Sequence, residues 1–136
     1  QRDPDMIPRQ KKTVECALGT LEYSVWEASH GLEKNQEVPT NQYTKWFDYD
    51  KIKNSPCVRT RRQGDFLVVN REGGRKKLNR VFIDEKIPAS LRDKLPVVAT
   101  DSEILWIPGG RMNEQYKITS TTGRVLELHY QGGVLS

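Results

Sequence analysis

From Leu78 the apolar residues change their spacing, and that change most restricts the fold. Leu78, Val81 and Phe82 fall at i, i+3 and i+4, the period of one helix face. Leu91 and Leu95 repeat an i, i+4 step in "PASLRDKLP", with Pro88 near the first turn and Pro96 as the stop. On both sides of this stretch the pattern is that of strands. "TVECALGTLEYSVWEAS" alternates in part around Gly19-Thr20, a hairpin turn by its residues, and "VVA" and "EILWIP" flank the turn cluster Thr100-Asp101-Ser102. In "RVLELHY", Leu126, Leu128 and Tyr130 alternate with Val125, Glu127 and His129. In "KWFDYDKI", Trp46, Tyr49 and Ile52 face a core in a strand followed by a turn, with a helix as the rival reading. The order is β-rich, two short helices, β-rich. It departs from the βαβα alternation of a doubly wound fold and predicts an α+β domain with helices packed on antiparallel sheet.

The 136 residues suffice for one modest core, so residues 12–136 are read as a single domain. Residues 1–11 and "HGLEKNQEVPTNQ" read as a polar, proline-punctuated lead-in and a loop. No apolar run approaches the ~20 residues of a membrane helix, and no signal-peptide pattern is seen, so a cytoplasmic protein is expected. Cys16 and Cys57 stand 41 positions apart without a Cys/His cluster. Two separate buried thiols are the expectation, with a disulfide as the alternative. His30 and His129 lack ligand spacing, so no metal site is expected.

Charge narrows the function. The formal net charge is +4, yet residues 59–80 alone carry +6, and the segments before and after carry −1 each. Such concentration points to a polyanionic partner. Two clusters make it up. Val58 and Thr60 alternate with Arg59 and Arg61, which in a strand places both arginines on one face, with Arg62 beside them. In "GGRKKLNRVFIDEKIP", Gly73-Gly74 precede Arg75, Lys76, Lys77 and Arg80, read as the cationic start of a helix running from Arg75. Cations there oppose the helix dipole, and a bound phosphate would explain them, with an ordinary solvated helix start as the alternative. The spacing is not that of a nucleotide-binding P-loop. Asp65, Asp84, Glu85 and Asp93 read as solvated or ion-paired charges, Ser90 and Ser102 lack a nucleophile context, and Trp26, Trp46 and Trp106 read as core. No catalytic residue is assigned.

Several ordered motifs lie in register with a known family. They are Arg62-Gln63-Gly64-Asp65, Gly74-x-Lys76-Lys77-Leu78, "FIDEKIP" at 82–88, "RDKLP" at 92–96 and "ILWIPGGR" at 104–111, with "YTKWFDYDKI" at 43–52. Across residues 43–130, and loosely across 12–42, the chain resembles the C-terminal domain of bacterial tRNA(Ile)-lysidine synthetases. The resemblance implies a three-layer α+β domain with an unusual β-sandwich, similar to a module of the phenylalanyl-tRNA synthetase β-subunit. It implies a parent ligase that uses ATP, with magnesium, to adenylate the wobble cytidine of an isoleucine tRNA before lysine displaces AMP. The family's catalytic Ser-Gly-Gly-x-Asp-Ser loop does not occur in this sequence. The chain is therefore expected to be inactive alone, to hold no cofactor, and to work with tRNA and an N-terminal catalytic domain; an oligomer stays open. The implied role is to hold tRNA toward the acceptor stem through Arg59, Arg61, Arg62, Arg75, Lys76, Lys77 and Arg80, with Arg92 and Arg111 added. Two rivals are a module that braces the catalytic domain and a small phosphate-ligand enzyme.

Overall fold

The computed structural model describes residues 12–16, 19–28 and 43–132. The lead-in 1–11, the loop 30–42 and His30 lie outside the described residues. The chain forms β1 (Lys12–Cys16), β2 (Gly19–Glu27), β3 (Thr44–Asp48), β4 (Cys57–Arg59), β5 (Phe66–Val68), β6 (Arg75–Lys77), α1 (Leu78–Asp84), α2 (Ala89–Arg92), β7 (Val97–Thr100), β8 (Glu103–Trp106) and β9 (Arg124–Gly132).

The strands make two sheets. The first runs β1-β2-β9-β3, and the second β4-β7-β8-β5-β6. Every pairing is antiparallel except β5 with β8. Side-chain alternation then produces three layers. Leu21 and Val25 of β2, Phe47 of β3 and Leu126, Leu128 and Tyr130 of β9 meet Val98, Leu105 and Trp106 in a core between the sheets. Val97, Ala99 and Ile104 leave the second sheet on its other side and meet Leu78, Val81, Phe82, Ile87 and Leu95 of the helical layer. The second sheet is covered on both faces where β7 and β8 run, so β7 is apolar or β-branched throughout and fully buried. This is the α+β order expected from the change in period.

Four expectations need correcting. Gly19 and Thr20 are not the turn: they belong to β2 and pair with Cys16 and Glu15, and residues 17–18 lie outside the described residues. In β3 it is Phe47, fully buried, and not Trp46 that enters the core, together with Tyr49 and Ile52. Trp46 and Trp26 are half-buried and meet edge to face with centroids 4.9 Å apart, while Trp46 Nε1 donates to Glu127 Oε1 at 3.0 Å. By register both lie on the outer face of the first sheet, and of the three tryptophans Trp106 is the one in the core. Cys57 is a free, exposed thiol and not a buried one. Cys16 lies in β1, with its side chain outside the description.

Candidate nucleic-acid interface

The two glycines of "GGRKK" turn a β-hairpin. Val69 N donates to Gly74 O at 2.8 Å, Gly73 N to Asn70 O at 3.2 Å and Gly74 N to Asn70 Oδ1 at 2.8 Å. Gly73 has φ +88°, a value L side chains rarely adopt. Arg75–Lys77 is therefore an edge strand, paired Phe66↔Lys77, Leu67↔Lys76 and Val68↔Arg75. This corrects the helix start: α1 begins three residues later, at Leu78, and has only seven residues. The conflict with a helix dipole falls away for Arg75 and Lys76, which precede the helix, and stays for Lys77, its N-cap residue. The sequence favoured helix here because Leu78, Val81 and Phe82 do carry the period, and three charged residues offer no apolar alternation to mark a strand.

Alternation in β6 separates its cations. Lys76 shares a face with buried Leu67 and reaches the helix side, where its Nζ lies 2.7 Å from Asp84 Oδ2. Arg80 Nε lies 3.3 Å from Asp84 Oδ1, one turn back on α1. The Asp84 carboxyl is held below its ordinary value by the hydrogen bond from Lys76 first, then by the charges of Lys76, Arg80 and Arg111. A carboxyl lowered by folding adds stability above its unfolded value and loses it as pH falls through the folded one. Asp84 also offsets cations that would otherwise face solvent. Asp84→Asn is expected to tighten binding of an RNA duplex about threefold, the size of one released surface ion pair, with the thermal midpoint little changed. Filter-binding titrations of both forms check this.

Arg75 and Lys77 point to the opposite face. The Arg75 guanidinium carbon sits 4.3 Å from the centroid of the Phe66 ring. Lys77 is exposed and has no side-chain partner among the described residues. The same holds for Arg62 and for Arg71 in the hairpin turn. Arg71 contributed to the charge of the window but was not singled out. Its place on a turn between the hairpin strands, visible only once the hairpin is, adds it to the surface.

The Arg59-Thr60-Arg61-Arg62 cluster divides three ways. The strand ends at Arg59, so the expected shared arginine face does not form. Arg59 is drawn inward: Nη1 and Nη2 donate to Asp65 Oδ2 and Oδ1 at 2.9 and 2.8 Å, and further bonds reach Thr60 O and Asp101 O. The side chains of Arg59 and Asp65 are 9% and 1% exposed. The hydrogen bonds that Arg59 donates to Asp65 raise its guanidinium above the ordinary value, against the effect of burial. Arg59 thus has a structural role and is not presented to a ligand. Arg61 joins the helices, donating to Asp93 Oδ1 and Asn79 Oδ1 at 2.8 Å each. Of the three arginines only Arg62 stays exposed, on the turn that Leu78 N joins by donating to Asp65 O at 2.9 Å. Of the two added arginines, Arg92 Nε donates to Ile87 O at 2.9 Å, and Arg111 Nη2 reaches Val69 O at 3.3 Å, tying the segment after β8 to the hairpin.

Carboxylates are placed elsewhere or spent. Asp65, Asp84 and Asp93 each serve an ion pair, as expected of them. Glu22 and Glu127 lie by register on the outer face of the first sheet, beside His129, whose Nδ1 is 2.6 Å from Thr44 Oγ1. Among the described residues no group of three His, Cys, Asp or Glu side chains is placed to hold a metal. Among the described residues the arrangement offers an exposed cationic surface around the hairpin.

Known proteins agree with this architecture. The sequence model of one family, the TilS substrate C-terminal domain, matches residues 57–128. A tRNA(Ile)-lysidine synthase of Caldanaerobacter subterraneus subsp. tengcongensis is 46% identical over 89 residues, covering 65% of this chain and 19% of that protein. One from Clostridium perfringens is 34% identical over 130 residues, covering 94% of this chain and 27% of that protein. The chain thus spans about a quarter of those relatives or less. A crystal structure of a TilS C-terminal domain superposes with a TM-score of 0.70 at 28% identity, covering 89% of this chain and 90% of that one.

Proposed function

The chain belongs to the TilS substrate C-terminal domain family, and on that premise we propose that it holds tRNA by its acceptor-stem side for a tRNA(Ile)-lysidine synthase. One observation carries the reading. The exposed cations Arg62, Arg71, Arg75 and Lys77 are grouped on and beside one hairpin, with no carboxylate partner among the described residues, while Glu22 and Glu127 occupy the outer face of the first sheet. An A-form stem offers phosphates and 2′-hydroxyls to such a surface, and its deep major groove is closed to side chains. Grip without base reading suits a domain that positions a substrate whose chemistry happens elsewhere.

The parent protein then supplies the reaction: ATP-dependent ligation of lysine to the wobble cytidine of an isoleucine tRNA in the cytoplasm. ATP, magnesium and lysine belong to a catalytic domain, which is this domain's protein partner. The bracing alternative needs apolar surface to bury. Among the described residues Ile83 is the one large hydrophobic left exposed, which favours RNA over a brace.

An acceptor-stem minihelix is expected to bind the 136-residue chain about tenfold more tightly than an anticodon stem-loop of equal length at the same salt, since specific placement adds to a shared electrostatic term. Fluorescence anisotropy with both RNAs tests this, and equal binding defeats the acceptor-stem assignment.

A further inference from the structure

The β5–β6 hairpin forms one end of the second sheet, with β6 as its edge strand. The core between the sheets takes Val98, Leu105 and Trp106 from β7 and β8 and draws no residue from β5 or β6. The hairpin face on that side carries Phe66, buried Val68, Arg75 and Lys77, none of which belongs to that core. On this face the Arg75 guanidinium carbon sits over the Phe66 ring, 4.3 Å from its centroid, while Arg75 itself stays exposed.

A phosphate contact does not require that stack. An arginine serving a phosphate presents its nitrogen edge and is usefully free to turn. A guanidinium seated on a phenyl ring is oriented in advance, with one planar surface covered and the other open, and arginine planes are surfaces on which unpaired RNA bases stack. The charges nearby agree. Glu103 pairs with Phe66 in register, and its carboxylate is kept in place by Asn113 Nδ2 and Tyr116 Oη at 3.0 Å each. That negative charge opposes a phosphate at the ring and leaves an uncharged base unopposed. Lys77, next on the same face, is placed to take the phosphate that follows such a base.

We infer that Arg75, seated on Phe66, is a stacking site for one unpaired nucleotide, the kind found at the single-stranded 3′ end bordering an acceptor stem. The order is base, guanidinium, phenyl ring. The inference rests on the tRNA-holding reading and adds a specificity element to it: the stem is gripped by charge, and its end is located by a base.

The test uses two RNAs, a minihelix with four unpaired 3′ nucleotides and the same duplex made blunt, titrated into the 136-residue chain at one salt concentration. The overhang is expected to improve affinity about tenfold, within the range for stacking one base. Arg75→Lys keeps the charge and loses the plane, so it should bring the ratio of the two affinities to about one, whatever it does to both. Phe66→Leu removes the floor and should act the same way, with the circular dichroism spectrum checking its fold. Lys77→Ala should weaken both RNAs. An unchanged preference in Arg75→Lys, or no preference in the parent chain, overturns the stacking site while steep salt-dependent binding leaves the tRNA reading standing. No binding of either RNA overturns both.

Discussion

Replacing Asp65 with alanine is expected to cost about 3–5 kcal/mol of folding stability, the range for removing one partner of a buried ion pair. The carboxylate is 1% exposed and accepts from both Arg59 terminal nitrogens and from Arg62 N at 2.7 Å. Without it, Arg59 keeps a charge in a side chain only 9% exposed, with no counter-ion. The damage spreads through the turn that the side chain closes, because its backbone O, which alanine keeps, accepts from Leu78 N at the start of α1. Arg62 and Lys77 would lose their relative placement along with the stability. The double variant Arg59→Met/Asp65→Leu removes the stranded charge and should recover part of the loss. Urea denaturation of the three proteins measures this, and a loss below about 1 kcal/mol for Asp65→Ala, the size of an exposed pair, rejects the clamp as a structural element.

That clamp shows where sequence reading ends. The motif Arg62-Gln63-Gly64-Asp65 was visible, but Asp65 read as a solvated or ion-paired charge with no partner named, and Arg59 as one of a surface cluster. Only the return of the chain from β4 to β5 places Asp65 under Arg59, and nothing local in the sequence encodes that fold-back. Where a period was strong, the reading held. Leu126, Leu128 and Tyr130 enter the core as alternation required, and so do Leu78, Val81 and Phe82 at helical spacing. It slipped where both patterns met. Arg75–Lys77 has no apolar residue to show alternation, and the helix beginning at Leu78 lent it a false period. The tryptophans misled for another reason. Trp26 and Trp46 cover each other on an outer sheet face, so size and apolarity did not force them inward.

The basic window was legible as a total but not as a distribution. Of its eight cations, Arg59 is buried in the clamp, while Arg61, Lys76 and Arg80 are tied to carboxylates. The surface that remains is smaller than +6 suggested and better defined, since Arg62, Arg71, Arg75 and Lys77 belong to one hairpin and the turn beside it. A family resemblance pointed to tRNA but gave no such sorting, because it cannot distinguish a cation that holds the fold from one that meets a ligand.

The central claim is that these free cations grip an RNA backbone, and its most direct test is the salt dependence of binding. The logarithm of affinity for an acceptor-stem minihelix should fall linearly with the logarithm of salt concentration, by about 0.7–0.9 for each phosphate neutralised. The triple variant Arg62→Ala/Arg71→Ala/Lys77→Ala leaves both cores and the Asp65 clamp in place. Its slope is expected to be shallower by about 2–3 units, with affinity at low salt reduced at least tenfold. A slope equal to that of the parent chain would contradict the account and move the RNA to another face of the domain.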